Sequence, residues 1–419
     1  MVEVEEGRGR AERLRDTIRA LRHRNYRIYF FALLVSFIGT WMQSVAQSWL
    51  IYRLTGSAWL LGLVAFMGQV PVFLLAPLGG VLADRHSRYR IILLTQALAM
   101  AQALALAGLT LSGRVTVSAV IALALALGIV NAFDLPTRQA FLSELVSRRD
   151  LMNAIALNSS MINGARIVGP ALAGVIVAWL GEGLCFLLNG LSFIAVIAGL
   201  LAIRLDRKQS AQPDRSALSA LKEGFDFVRS TRHVRALLLL VAFVSIFGLS
   251  YIVLMPIFAD GVLGGGPRAL GLLLGAAGIG ALGGALTLAA RREVHGLGRV
   301  VAVSVAALGV MLVLFSLSRN LVLSIVLLVP IGFTLMLQMA ASNTLLQSMV
   351  DDRLRGRVMS FYSMSLMGMS PFGGLLAGAV AARIGAPATV GAGGALCILI
   401  SLASLASLSS LPSPDRVAD

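Results

Sequence analysis

Twelve apolar runs, each about twenty residues or longer, follow one another along this chain with little between them. In water such a chain could not bury its apolar surface: 58% of its 419 residues are hydrophobic, only 13% are charged, and the mean hydropathy is +0.86. The solvent is therefore lipid. In lipid every backbone N–H and C=O must be satisfied within its own element, which leaves helices or a closed barrel. The runs are continuous rather than alternating, so they predict helices, near 27–51, 59–83, 91–112, 115–137, 151–180, 183–203, 234–259, 268–290, 299–317, 320–349, 357–383 and 386–410. The fold class is all-α integral membrane with twelve transmembrane helices.

A formal net charge of +15 would suggest a nucleic-acid partner for a soluble protein, but the distribution of the charge gives it another role, and no nucleic-acid partner is expected. With the N-terminus in the cytoplasm, the segments on that side hold 29 of the 35 Lys and Arg. The opposite side holds Arg53, Arg114, Arg268, Arg319 and Arg383, and Arg166 lies inside a span. One span more or fewer would invert the assignment downstream of it. The uniform asymmetry thus predicts an even number of crossings with both termini cytoplasmic.

Residues 1–26 read as a retained basic arm, not a cleaved leader, with Leu14, Ile18 and Leu21 forming one apolar stripe suited to a membrane surface. The segment 204–233 is the one long charged interruption, and Ser216–Thr231 within it has the pattern of a short amphipathic helix. It divides a six-helix bundle over 27–203 from a second over 234–411, with a cytoplasmic tail at 412–419. The halves repeat. Gly169, Leu172, Ala173, Gly174, Ala178 and Gly181 recur 204 residues later as Gly373, Leu376, Ala377, Gly378, Ala382 and Gly385, both sets in the fifth helix of their half.

Polar residues inside the spans mark candidate sites, because a polar group in hydrocarbon must meet water, ligand or another helix. In helix 1, Ser36, Thr40, Gln43, Ser44, Gln47 and Ser48 fall on one face at steps of three and four. That stripe either lines a pore or packs against polar groups on neighbouring helices. Thr334, Gln338 and Ser342 make a shorter stripe in helix 10, with Asn343 and Gln347 offset from it. Asp134, the acid placed inside a span, is either a proton carrier or the acidic partner of Arg88 across the cytoplasmic interface, and its place only a turn from Arg138 and the inner surface favours the second role. Arg166 follows Asn163 about 22 Å into helix 5 at the helical rise, too deep to snorkel to the surface. It is either an anchor for an anionic or strongly polar substrate group or a structural hydrogen bonder. Other patterns carry no chemistry. Gly278-Ile-Gly280-Ala-Leu-Gly283 mimics a dinucleotide loop but lies within a span, and Cys185, Cys397 and the four histidines form no metal or nucleophile set. No enzyme, cofactor or metal is expected.

The stretch Gly80-Val-Leu-Ala-Asp84-Arg85-His-Ser-Arg88-Tyr-Arg90 resembles the loop signature of the major facilitator superfamily. The run Asn163-Gly-Ala-Arg166-Ile-Val-Gly169-Pro170-Ala-Leu-Ala-Gly174 resembles the antiporter motif of its fifth helix, with Ala173 in place of one usual glycine. Gly39 to Ala58, Asp134-Leu-Pro-Thr-Arg-Gln-Ala-Phe, Asn343-Thr-Leu-Leu-Gln347 and Arg355-Gly-Arg357-Val are similar to bacterial enterobactin and macrolide exporters, the transmembrane secretion effectors.

The resemblance implies two pseudo-symmetric six-helix bundles rocking about a midplane cavity lined mainly by helices 1, 4, 7 and 10. It implies that Gly80 lets helices approach closely and that Asp84, Arg85, Arg88, Arg90, Asp134 and Arg138 form a charge latch at the inner rim. Thr40, Gln43, Gln47, Asn163, Arg166, Gln338 and Asn343 would line the substrate cavity, and Gly169, Pro170 and Gly174 would shape helix 5. The expected function is export of a small amphipathic drug, siderophore or metabolite from a bacterial inner membrane by a monomer. Lipid and small-molecule substrate are its partners, and protons too if it is an antiporter. An importer, or a non-transporting sensor or scaffold, are the alternatives. Two departures weaken the proton inference: helix 1 has Thr40, Ser44 and Ser48 where relatives carry an acid, and helix 4 lacks a central arginine.

Overall fold

Several helix ends coincide with a cap that the local sequence supplies. Gly56 takes the left-handed conformation (φ 61°) that closes α1 (Arg24–Thr55), and the Ser57 side chain then accepts the Leu60 N–H to start α2 (Ala58–Arg85). Thr116 and Asn320 cap α4 (Val117–Leu145) and α10 (Leu321–Met349) in the same way. The remaining spans are α3 (Arg88–Leu111), α5 (Leu151–Leu180), α6 (Glu182–Ala202), α7 (Arg232–Val262), α8 (Gly266–Ala290), α9 (Leu297–Leu317), α11 (Leu354–Ile384) and α12 (Ala386–Ser409). The computed structural model describes residues 18–203, 217–291 and 296–409. Among them are twelve helices long and apolar enough to cross a membrane.

The two sets of six helices pack alike. In the first, α2 lies on α4 and α3 on α6; in the second, α8 lies on α10 and α9 on α12. Within lipid there is little hydrophobic drive to join helices, so close van der Waals approach through small residues takes over. Gly128 of α4 meets the Gly68 backbone of α2, and Gly284 and Gly332 bring α8 and α10 together at the matching place. The halves meet through α2–α11 and α5–α8. A Cβ at Gly174 would lie 2.9 Å from Gly271 Cα, and one at Gly378 would lie 3.0 Å from Gly62 Cα. The two glycines related by the 204-residue repeat thus make the same contact with the second helix of the opposite half.

Three helices differ from their predicted form. Helix 4 continues eight residues beyond its predicted end, to Leu145, because Thr137, Phe141, Leu142 and Leu145 bury against neighbouring helices although the segment is too polar to read as a span. The helices α7 and α11 contain π turns, at Val244–Gly248 and Phe258–Val262 and at Met364–Gly368. The Ser245 hydroxyl donates to the Leu366 carbonyl at 2.5 Å, joining one π turn to another.

The rim where α2 leads to α3, α4 to α5, α8 to α9 and α10 to α11 is the arginine-rich one. There a short 3₁₀ turn, Arg19–Arg22, docks on the start of α5: the Ala20 N–H donates to Asn153 Oδ1 at 2.8 Å and the Tyr26 hydroxyl to the Ala154 carbonyl. Of the predicted apolar stripe of the arm, Ile18 is exposed and Leu21 partly buried beside this turn, while Leu14 lies outside the described residues. The tail from 412 and residues 292–295 between α8 and α9 also lie outside them. The central amphipathic helix spans Ala217–Ser230, and Glu223 pairs with Arg357 of α11.

Candidate functional site

The polar stripe of α1 does not share one environment. Thr40 and Ser44 are exposed and Gln47 is half-buried, but Gln43 is 3% exposed and faces away from open space. Gln43 Nε2 donates to Gln102 of α3 at 3.0 Å, and Asn189 of α6 donates to Gln43 Oε1 at 2.7 Å. The arrangement is polar packing across three helices. Gln338 of α10 is likewise fully buried and donates to Ser342 on its own helix, whereas Asn343 accepts from Gln347 on a more open face. Among the residues expected to line a cavity, Gln43 and Gln338 therefore sit within helix packing, and Thr40, Gln47, Asn163 and Asn343 keep access to open space. Asn163 donates to the Ser159 carbonyl of its own helix at 3.0 Å.

At the arginine-rich rim the charged residues pair differently from the expected latch. Because α4 is longer than predicted, Asp134 lies 11 residues from its end, about 16 Å at the helical rise, and is 2% exposed. Its carboxylate pairs with Arg138 at 2.6 Å and accepts the Thr95 hydroxyl at 2.7 Å and the Gln96 amide at 2.9 Å. Arg88 instead reaches Glu144 at 3.0 Å and Asp84 at 3.4 Å. Arg85 and Arg90 are exposed. A Cβ on Gly80 would meet nothing within 4 Å, so Gly80 is not the point of close approach; Gly79 is, with its α-carbon face against Phe133 and Pro136 of α4. Other helix-borne acids were missed by counting Asp134 alone: Glu144, Glu182 paired with Arg53 at 2.6 Å, and Asp260, which accepts the Tyr52 hydroxyl at 3.3 Å.

Helix α5 brings Pro170, Gly174 and Arg166 to the junction of the two halves and turns Gly169 toward α1 of its own half. Gly169 receives the Trp41 side chain of α1, and the Pro170 carbonyl faces Gly271 of α8. Pro170 has no N–H to bond the Arg166 carbonyl four residues back, and that carbonyl faces Gly278 of α8. The Arg166 guanidinium lies over the Trp41 ring at 5.3 Å and within electrostatic reach of Tyr251 of α7. No carboxylate pairs with it among the described residues. The sequence pattern gives no sign of Trp41 or Tyr251 as its neighbours; a lone aromatic in an apolar span reads as core. Among the described residues no group of three or more His, Cys, Asp or Glu could hold a metal ion.

Twelve spans in two matching halves that pack alike and meet through α2–α11 and α5–α8 define a membrane transporter of major facilitator type. Solved structures of that kind superpose on most of the chain. An inward-facing bacterial homologue of the human lysosomal transporter Spinster does so with TM-score 0.70 at 17% identity, covering 94% of this chain and 99% of that one. A POT family transporter in complex with 5-aminolevulinic acid reaches 0.73 at 10% identity, covering 93% and 97%. The chain belongs to the transmembrane secretion effector family, whose model matches residues 16–418. Its relatives include the staphyloferrin A transporter of Staphylococcus aureus, 28% identical over 83% of this chain and 87% of that protein. The multidrug efflux pump Tap of Mycolicibacterium fortuitum is 28% identical over 86% and 90%, and the enterobactin exporter EntS of Shigella flexneri 25% identical over 91% and 90%.

Proposed function

We propose that this protein exports a small amphipathic molecule across a bacterial inner membrane by alternating access, with the arginine-rich rim and both termini in the cytoplasm. The supporting observation is where the halves touch. Their close approaches run from Gly62–Gly378 to Phe73–Gly368 along α2–α11 and from Gly174–Gly271 to Ile167–Gly278 along α5–α8, all at mid-depth or toward the arginine-poor rim. Tyr52–Asp260 and the Arg268–Trp179 stack join the halves on that same side. At the arginine-rich rim the ion pairs of Arg88, Arg138 and Asp150 stay within the first half. Contact between the halves concentrated on one side is what one end of a rocking cycle would have, and it supports this reading. Relatives named for siderophores and drugs support an amphipathic cargo of that size, and the excess of arginine on the opposite rim supports the orientation.

In this reading the bundles 27–203 and 234–411 move as units joined by 204–233, and the cargo path passes Thr40, Gln47, Asn163, Arg166 and Asn343. The charge group of Asp84, Arg85, Arg88, Arg90, Asp134 and Arg138 steadies the first half's inner rim while the halves rock. Proton antiport fits the superfamily resemblance. The test is the purified protein in liposomes under an imposed pH gradient, screened with dyes, macrolides and siderophores. Cargo moving toward the arginine-poor side, driven by the gradient, is the expected result; no flux of any of them by well-folded protein would sink the reading.

A further inference from the structure

The arginines that are half-buried or deep in the first half bring their own counter-charge: Arg138 has Asp134, Arg88 has Glu144 and Asp84, and Arg53 has Glu182. Arg166 is the exception. It lies in the middle third of α5, it forms no ion pair or hydrogen bond among the described residues, and its side chain has only the face of Trp41 and, within electrostatic reach, Tyr251. An aromatic face offsets only part of the cost of holding a guanidinium away from water. Trp41, Tyr251 and Gly278 each occupy the middle third of their spans as well, so α1 and α5 of one half and α7 and α8 of the other converge on this cation.

We infer that Arg166 recognises a single anionic group, a carboxylate or sulfonate, on a cargo whose apolar body lies against the partly exposed Trp41, with Tyr251 buried behind the cation. The proposal rests on the reading above that the space between the halves is the cargo path, and it names the chemical class that path accepts. A guanidinium meets such a group with two parallel N–H donors, and the missing carboxylate is then supplied by the ligand instead of by the chain. A cationic cargo would face an uncompensated positive charge at the same depth. Because both halves contribute to the niche, a bound anion ties α5 to α7 and would be felt by the packing that holds the halves together.

The test compares ligands that differ only in the anion. The protein in nanodiscs is titrated with 8-anilinonaphthalene-1-sulfonate and with its uncharged parent N-phenyl-1-naphthylamine, and with two aryl carboxylates and their carboxamides. The same titrations are made on Arg166→Gln and Arg166→Lys. Preference for the anionic member of at least one pair, by about ten- to hundredfold, should vanish in Arg166→Gln. Arg166→Lys, which keeps the charge and loses the planar fork, should retain a reduced preference, and it decides the matter if the Gln variant does not fold. Wild-type protein with no anionic preference in any pair, or a preference unchanged by either substitution, overturns the proposal. Binding is read separately from flux: anion selectivity that depends on Arg166 without transport of any probe would contradict the transport reading and leave this one standing.

Discussion

Asp150 shows how a single side chain holds the entry segment in place. It lies between α4 and α5, outside the spans, where a hydrogen bond from His23, then bonds from Ser147 and Arg19, hold its carboxyl down at about 2. A lowered carboxyl pKa contributes stability above its unfolded value near 4, which is lost as pH falls toward 2. Docking of the 19–23 segment should therefore weaken across that acid window. Limited proteolysis at stepped pH should expose the segment there in the wild type, and already at neutral pH in Asp150→Ala. Asp134 calls for a different experiment. Removing its charge leaves the partly buried Arg138 without a counter-ion, so Asp134→Asn should cost about 2 kcal/mol in detergent-solubilised thermal unfolding. With its carboxylate taken up by Arg138, Thr95 and Gln96, Asp134 has a structural role, and cargo-driven proton exchange should persist in folded Asp134→Asn; its abolition with binding intact would restore the carrier role.

Residue types were legible in the sequence, but their partners were not. Periodicity finds the polar face of α1, yet whether Gln43 meets water or another helix depends on Gln102 and Asn189, amides in spans 59 and 146 residues away. Those amides carried a usable signal: an amide deep in an apolar run needs a partner, and three of them at similar depth could have been matched. Nothing comparable pointed to Glu144, which reads as a loop residue until α4 is known to continue past it.

At the scale of elements, hydropathy locates the spans to within a few residues wherever a cap or a charged turn follows. It fails where packing overrides composition, as in the last turns of α4, and it is blind to the π turns of α7 and α11, whose extra residue alters spacing without altering polarity. The repeated glycines were readable as a repeat, but their use at the seam between halves needed the structure. That use makes a paired expectation. Gly174→Val and Gly378→Val each drive a branched side chain into the backbone of Gly271 or Gly62. Both should fold, since each half packs through other glycines, and both should slow transport at least about tenfold by holding the arginine-poor seam apart. Equal flux in wild type and variants, measured in proteoliposomes, would show the seam to be incidental.

For the whole molecule, lipid accounts for what would otherwise be a flawed protein. Exposed Leu74, Leu239, Leu317 and Val322 would drive aggregation in water, and in a bilayer they are simply the lipid face. The same solvent makes glycine seams and paired charges, rather than a larger apolar core, the means of joining helices, and seams of that kind can part and re-form. Rocking is therefore the property on which the functional reading turns. It is tested most directly by electron–electron distances in nanodiscs, with one spin-label pair at Arg114 and Asn320 on the arginine-poor rim and another at Ser87 and Asp351 on the arginine-rich rim. Under a proton gradient or with bound cargo, the first distance should lengthen as the second shortens. Two distances that stay fixed while flux is running, or that lengthen together, would contradict it.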